Sequence, residues 1–534
     1  MRGTFFAGAL AAGVLLAGAG PAIASGGGND TSAKLRKAVS VDGIRFHQAA
    51  FNVFGELKGG NRLAGTPGHE LSADYVELNA KLAGYKTSRQ DFTYDLYVLG
   101  DWKKPILDVK RGKSYIPGIG GSQFGGDFGS MVNSPSGDVT GPVWAADLSL
   151  PPSPVANTST SGCEAADFAG MPKGAIVLIQ RGTCGELTKW LNAQTAGAGA
   201  IVYINEGTPG VPGREAPRWF DMEGSGVTIP ITAAQVATVA DLAGSVRQGL
   251  VGKTARFRIE WRTDPAVPTR NVIAETRGGD PNKVIVVGAH LDSVGTGPGI
   301  NDNGSGSAAL LEFAKELRGV NPKNKIRFVW FSAEESGLLG SEAYVASLPP
   351  AERAKIAANL NFDMIGSPNY VNFVYDGDLS DSPPIPEDVF HPAARPFSAT
   401  IEKLFLDYFK AQRIPTLPTD FDGRSDYGPF IAAGIPAGGL FTGAEGLKTP
   451  EQAALFGGTA GEQYDPCYHL GCDNFFNNSN RALDQNSDAA AHVLITLAQS
   501  KIPDRPAVTP APAARQRVGA VDKHLPVLTT DMDR

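Results

Sequence analysis

Cysteine is scarce, with four in 534 residues. That excludes a small disulfide scaffold and a cluster protein built on many thiolates. Neither cysteine pair has the two-residue knuckle spacing of a structural zinc site. Charge is thin as well: charged residues are 19% and the formal net charge is −7. No block of lysine and arginine stands out. A basic face for phosphate is therefore lacking, and nucleic acid is excluded as the main partner. Low charge here does not mean disorder, because hydrophobic residues make up 42%, ample for cores. Beyond the first 24 residues no apolar run reaches the roughly 20 residues of a membrane span, so stable membrane insertion is not expected. Two hydrolase signatures are missing. Neither H-E-x-x-H nor G-x-S-x-G occurs, which weakens the helical zinc-protease and serine-hydrolase readings. Glycine and proline are plentiful, at 65 and 38, without a G-X-Y period. They announce turns and loops rather than collagen.

The chain opens with Arg2, an apolar stretch from Phe5 to Ala19, and the small-x-small sequence Ala22-Ile23-Ala24. This is the pattern of an export signal cleaved after Ala24. The competing reading, an N-terminal anchor, asks for a longer and less glycine-rich segment. Residues 1–24 are read as signal and 25–32 as linker, and the protein as secreted. Export suits disulfides, and local pairing, Cys163 with Cys184 and Cys467 with Cys472, is the simplest arrangement.

Residues from about 33 to 90 look helical, with Ala73, Val76, Leu82 and Ala83 near one face. From about 126 to 256, Val/Ile-rich runs alternate with Gly/Pro turns (GAIVLIQRG, GAIVYINEG, VTIPITAA). They read as an inserted β-rich domain, which splits a catalytic domain into 33–125 and 257–502. After about residue 268, strand and helix alternate: VIVVGA, SAALLEFAKEL, IRFVWFSA, NLNFDMIG and GIPAGGLF. This predicts an α/β fold with a mostly parallel central sheet flanked by helices. Residues 503–534 are Pro/Ala-rich without periodicity and read as a flexible tail.

In open α/β sheets, sites form at the carboxyl ends of the strands. VIVVGA runs into His290-Leu291-Asp292, and Asp302-Asn303 precedes the next helix. IRFVWFSA runs into Glu334-Glu335, and NLNF into Asp363. Carboxylates gathered at one edge repel each other unless a cation holds them. Histidine mixed with carboxylates suits zinc better than calcium. A carboxylate shared by two metals would make a co-catalytic pair, and a second glutamate beside it can serve as general base. On its own, Glu334-Glu335 would be a solvated helix start. His492, in AAAHVL, reads as a helix-face histidine. His469 lies between Cys467 and Cys472, where a disulfide would hold its loop at a defined position.

These segments, GAHLDSV, GINDNGSG, FSAEESGLLGS, NFDMIG and DPCYHLGCD, resemble the secreted di-zinc aminopeptidases, which include bacterial leucyl-type enzymes and aminopeptidase Y. NRLAGTPGHELSADYV (61–76) is similar to their N-terminal region. The resemblance implies two zinc ions per subunit. One would lie on His290 and Asp363 and the other on Glu335 and His469, with Asp302 as bridge. It implies Glu334 as base on the bridging water, Asp292 as the residue orienting His290, Tyr468 as oxyanion donor, and Arg424 near the substrate. Residues 163–205 resemble a protease-associated domain. The implied enzyme is a monomer that removes N-terminal, hydrophobic residues from peptides with a free N-terminus. Calcium is conceivable but has no assigned site. Three other readings stay open: a metallo-carboxypeptidase on the same fold, a single-zinc cyclase for N-terminal glutamine, and a non-catalytic binding protein.

Overall fold

The computed structural model describes residues 28–99, 105–117, 126–131, 134–209, 217, 222, 225–382 and 385–505. The expected signal at 1–24 and the tail from 506 onward lie outside the described residues. The chain divides into two compact units at Tyr94/Asp95 and Pro265/Ala266.

The first unit carries an eight-stranded sheet. Its spatial order is Lys86–Leu99, Trp261–Glu275, Asn324–Phe331, Asp280–His290, Ile356–Phe362, Ala437–Phe441, Phe373–Tyr375 and Leu417–Thr419. The four middle strands run parallel and are the four that the sequence predicts. They read clearly because both faces are covered. Ile285, Val287 and Ala289 pack toward the helix Gly304–Glu316 in the main core. Val284 and Val286 point the other way, into a cluster with Phe430 and Ile435. The sheet is mostly parallel as expected, with antiparallel pairings toward its flanks. Trp261–Glu275 is antiparallel to Asn324–Phe331, and Phe373–Tyr375 is antiparallel to Ala437–Phe441.

The helical reading of residues 33–90 needs correction at its end. Helices span Ser32–Ala38, Val41–Leu57 and Pro67–Leu82, and then Gly84 turns with φ 93° into the strand Lys86–Leu99. A left-handed glycine past the last apolar position is a helix stop, and the β-branched and aromatic residues beyond it favour a strand. A short helix, Pro350–Lys355, leads into the third predicted strand, where Ile356 opens a fully buried run.

The second unit holds a seven-stranded sheet, ordered Ile106–Val109, Gly249–Ile259, Gly137–Ala145, Ile176–Gln180, Ala200–Ile204, Ile231–Ala234 and Phe128–Ser130. Residues 106–109, placed in the catalytic part by the sequence reading, pair here with Ala255–Arg258. Apolar clusters cover both faces of the sheet. The helix Glu186–Ala196 connects two fully buried parallel strands. Cys163 bonds to Cys184 here, and Cys467 to Cys472 in the first unit.

Candidate metal centre

Parallel pairing brings the predicted residues together. His290 is the last residue of its strand and pairs in register with Phe331. Glu334 and Glu335 follow Phe331 by three and four residues, and Asp363 directly follows the strand Ile356–Phe362. Asp302 precedes the helix Gly304–Glu316, whose N-cap is Asn303. Gly306 in its first turn approaches the end of the neighbouring strand, and a Cβ there would meet the Phe362 carbonyl at 2.1 Å. Only glycine lets the helix start this close to Asp363. His469 arrives from far along the chain, on the loop closed by Cys467–Cys472.

The groups converge tightly. His290 Nε2 lies 3.2 Å from Asp302 Oδ1 and 3.3 Å from Asp363 Oδ1. His469 Nε2 lies 3.1 Å from Asp302 Oδ2 and 3.0 Å from Glu335 Oε2. Asp302 thus turns one oxygen to each imidazole. Glu334 Oε2 is 3.8 Å from His290 Nε2. All six side chains are buried. Two overlapping groups have ligand atoms within 4.8 Å of one another: His290, Asp302 and Glu335, and His290, Glu334 and Asp363. Three non-glycine residues at the site, Ala333, Met364 and His469, hold positive φ. Strain of this kind, about 1–3 kcal/mol per residue, gathers at functional sites.

Several of these candidate groups are held by neighbours. The His290 Nδ1 partner is the backbone carbonyl of Asp292 at 3.2 Å, while the Asp292 carboxylate stands 3.7 Å away. That carboxylate instead accepts the Glu334 and Glu335 amides, at 3.3 and 3.4 Å. Asp292 therefore holds three site residues at once. Ser425 donates to Asp363 Oδ2 (2.5 Å) and accepts from Asn361 (2.8 Å). Arg424 donates to the Tyr468 hydroxyl (3.3 Å) and to Glu445 (2.9 Å). The Tyr468 ring stacks on His469 with centroids 3.8 Å apart. The fully buried Arg62 donates to the Leu291 carbonyl, to Pro298 O (2.7 Å) and to Gly299 O (2.6 Å), and so spans the loop from His290 to Asp302. Ser425 and Arg62 carry no role in the sequence reading, though Ser425 directly follows Arg424 and Arg62 lies inside the motif NRLAGTPGHELSADYV. His492 sits on the helix Asn480–Gln499, bonded to Ser32 and stacked on Tyr408, in a structural role.

Burial and neighbouring charges together raise the proton affinity of His290, His469, Glu334 and Glu335. Burial works against the His290 imidazole, yet Asp363 and Glu334 hold its pKa well above the ordinary value. Burial also opposes His469, while Glu335 and Asp302 push it up to about 10. Glu335 is pushed up to about 7, first by burial and then by Asp302, with His469 opposing. Burial raises Glu334 well above the carboxylate range, and Asp363 and Asp426 add to it. A bound cation would displace these protons. Another acidic group, Asp376, Asp378 and Glu402, is already engaged by backbone amides, and no calcium site is assigned to it.

Residues 271–494 match the model of peptidase family M28, and residues 139–242 match the PA domain. An aminopeptidase of Pseudomonas aeruginosa is 45% identical over 445 residues, covering 83% of this chain and 78% of the relative. The chain belongs to peptidase family M28. A probable leucine aminopeptidase 2 of Aspergillus fumigatus is 40% identical over 447 residues, covering 83% of this chain and 81% of that one. Among solved structures, an aminopeptidase from Aneurinibacillus sp. strain AM-1 shares the fold at a TM-score of 0.63 and 23% identity, covering 89% of this chain and 98% of its own. This M28 chain is therefore a peptidase with a PA domain on an α/β scaffold, which sets aside the non-catalytic reading. Among the described residues, no helix is long and apolar enough to cross a membrane.

Proposed function

We propose that this M28 peptidase is a secreted di-zinc aminopeptidase acting on peptides with apolar N-terminal residues. The observation that carries the reading is the split of Asp302, with one carboxylate oxygen toward His290 and the other toward His469. The donor chemistry fits zinc, being two imidazoles and buried carboxylates at one sheet edge. Among the described residues, Glu335 Oε1 and Asp363 Oδ1 are buried with no hydrogen-bond partner, as ligand atoms would be. His290 and Asp363 would hold one ion, Glu335 and His469 the other, and Asp302 both. When bound, the ions supply Lewis-acid polarisation of the scissile carbonyl and acidify water.

The remaining steps belong to the chain. Glu334 takes a proton from the attacking water and passes it to the leaving amine nitrogen. Burial pushes the Tyr468 hydroxyl well above its ordinary pKa, so it stays a donor and meets the carbonyl oxygen as charge develops there. Arg424 aims that hydroxyl. The substrate ammonium is drawn to the carboxylates around Glu334 and Asp363. Met364, Ala444 and Tyr468, with Phe441 packed against them, form an apolar cluster beside the ligands, which favours a hydrophobic first residue. A carboxypeptidase would need a free cation for the C-terminal carboxylate, and Arg424 is already paired with Glu445. Two disulfides suit export.

The test is mass-spectrometric product analysis on matched peptides with free, N-acetylated and C-amidated ends, with and without chelator. Stepwise loss from the N-terminus, blocked by acetylation and chelation but not by amidation, is expected. Cleavage of the acetylated peptide, or a need for a free C-terminus, refutes the assignment.

A further inference from the structure

The loop bearing His469 is bracketed by two acids outside its disulfide, Asp465 and Asp473. Both are buried. Asp473 accepts from the backbone N–H of Asn301 (2.8 Å), the backbone N–H of Asp302 (3.0 Å) and the Asn477 amide (3.0 Å). Asp465 accepts from the Asn301 side-chain amide (2.6 Å), the Asn477 amide (2.9 Å) and the Cys467 backbone N–H (2.8 Å). Asn301 and Asn477 each touch both acids, so the four residues close a ring. One side of the ring is the backbone that presents Asp302. The other is the pair of ends of the loop that presents His469. Two further bonds tie the same segments: Ile300 N–H donates to Asp473 O (3.1 Å) and Thr296 donates to His469 O (2.7 Å).

Burying two carboxylates is costly, and apolar residues of like volume are often no less stable. A directional ring does something that apolar packing does not: it sets two loops in register. We propose that Asp465, Asp473, Asn301 and Asn477 are positioning residues that fix Asp302 and His469 relative to each other before metal arrives. The proposal rests on the di-zinc reading. It deepens that reading by assigning preorganisation of the shared site to groups that touch no metal. Preorganised geometry raises affinity by removing the ordering cost at binding.

Asp473→Asn tests it. The substitution keeps the shape but sets an amide N–H₂ against one of the N–H groups that Asp473 accepts, in the worst case that of Asp302. Zinc stoichiometry and affinity are read by competition with a chromophoric chelator on the full chain, with far-UV circular dichroism to score folding. The expected result is a folded variant that binds one or both zinc ions at least tenfold more weakly than the wild type. Wild-type affinity at both sites in folded D473N overturns the proposal, even if the apoprotein melts at a lower temperature, because the ring would then be merely structural. If D473N does not fold, Asn477→Ser, which removes the amide common to both acids, is read in the same way. The wild-type arm separates the two failures: fewer than two zinc ions bound there refutes the di-zinc reading itself.

Discussion

Arg62→Lys should be among the most damaging conservative substitutions in the first unit. Arg62 is fully buried and its guanidinium spreads over three carbonyls, of Leu291, Pro298 and Gly299. These acceptors belong to two stretches of the loop between His290 and Asp302. A lysine keeps the charge but ends in one compact ammonium, which does not span all three. Two of the three bonds are lost. At about 1.5–3 kcal/mol per hydrogen bond to a charged group, the cost is about 3–6 kcal/mol. The contact of the guanidinium with the Phe51 ring, 5.2 Å to its centroid, is weakened too. Against a usual stability of about 5–15 kcal/mol, this is about a fifth or more of what holds a domain. Urea denaturation of the apoprotein gives the global value, and hydrogen exchange of peptides covering 291–300 gives the local one. R62K should lose stability in that range and exchange faster in the loop. A change under about 1 kcal/mol with unaltered loop exchange would show that the loop is held by something else, and would refute the reasoning.

Glu334→Gln should lower kcat by about 10²–10⁴-fold while zinc stoichiometry stays at the wild-type value, since it removes a base; a parallel loss of metal would make Glu334 a ligand instead. Tyr468→Phe should lower kcat by about 10²-fold with little change in KM, because the lost bond matters only as charge develops on the oxygen; steady-state kinetics on a leucyl substrate reads the split. Ser425→Ala should weaken zinc retention against a chelator by about 10-fold, through loss of the bond that orients Asp363. Glu402 offers a pH test away from the metal centre: burial and then Asp378 and Asp376 push its carboxyl up to about 7 from 4.5. A raised carboxyl contributes stability below the unfolded value and loses it as pH rises through the folded one. The melting temperature of E402Q relative to wild type should therefore rise between pH 5 and 8, and a flat difference would contradict the shift.

What the sequence makes legible follows from burial. The four middle strands are covered on both faces, so each reads as an unbroken apolar run, and the polar residue that ends the run stands out. His290, Glu334, Glu335 and Asp363 are all visible in that way. The strand Lys86–Leu99 is not, because its charged residues interrupt the run and the preceding helix spacing carries the eye past Gly84. His469 has no spacing signal at all. Its partner Asp302 lies 167 positions earlier, and only the motif resemblance and the flanking cysteines mark it. The holders are harder still. Arg62, Asn301, Asp465, Asp473 and Ser425 are polar residues in loops, which composition assigns to solvent. Their burial is a consequence of long-range closure. A buried polar residue is affordable only where its donors and acceptors find partners, and the distant ones among those partners lie from 62 to 237 residues away along the chain. Local pattern can therefore find the candidate metal-binding groups at strand ends, because the strands place them. The groups that aim them become visible only once the fold has brought Asp473 to the backbone of Asp302 and Arg62 to that of Gly299.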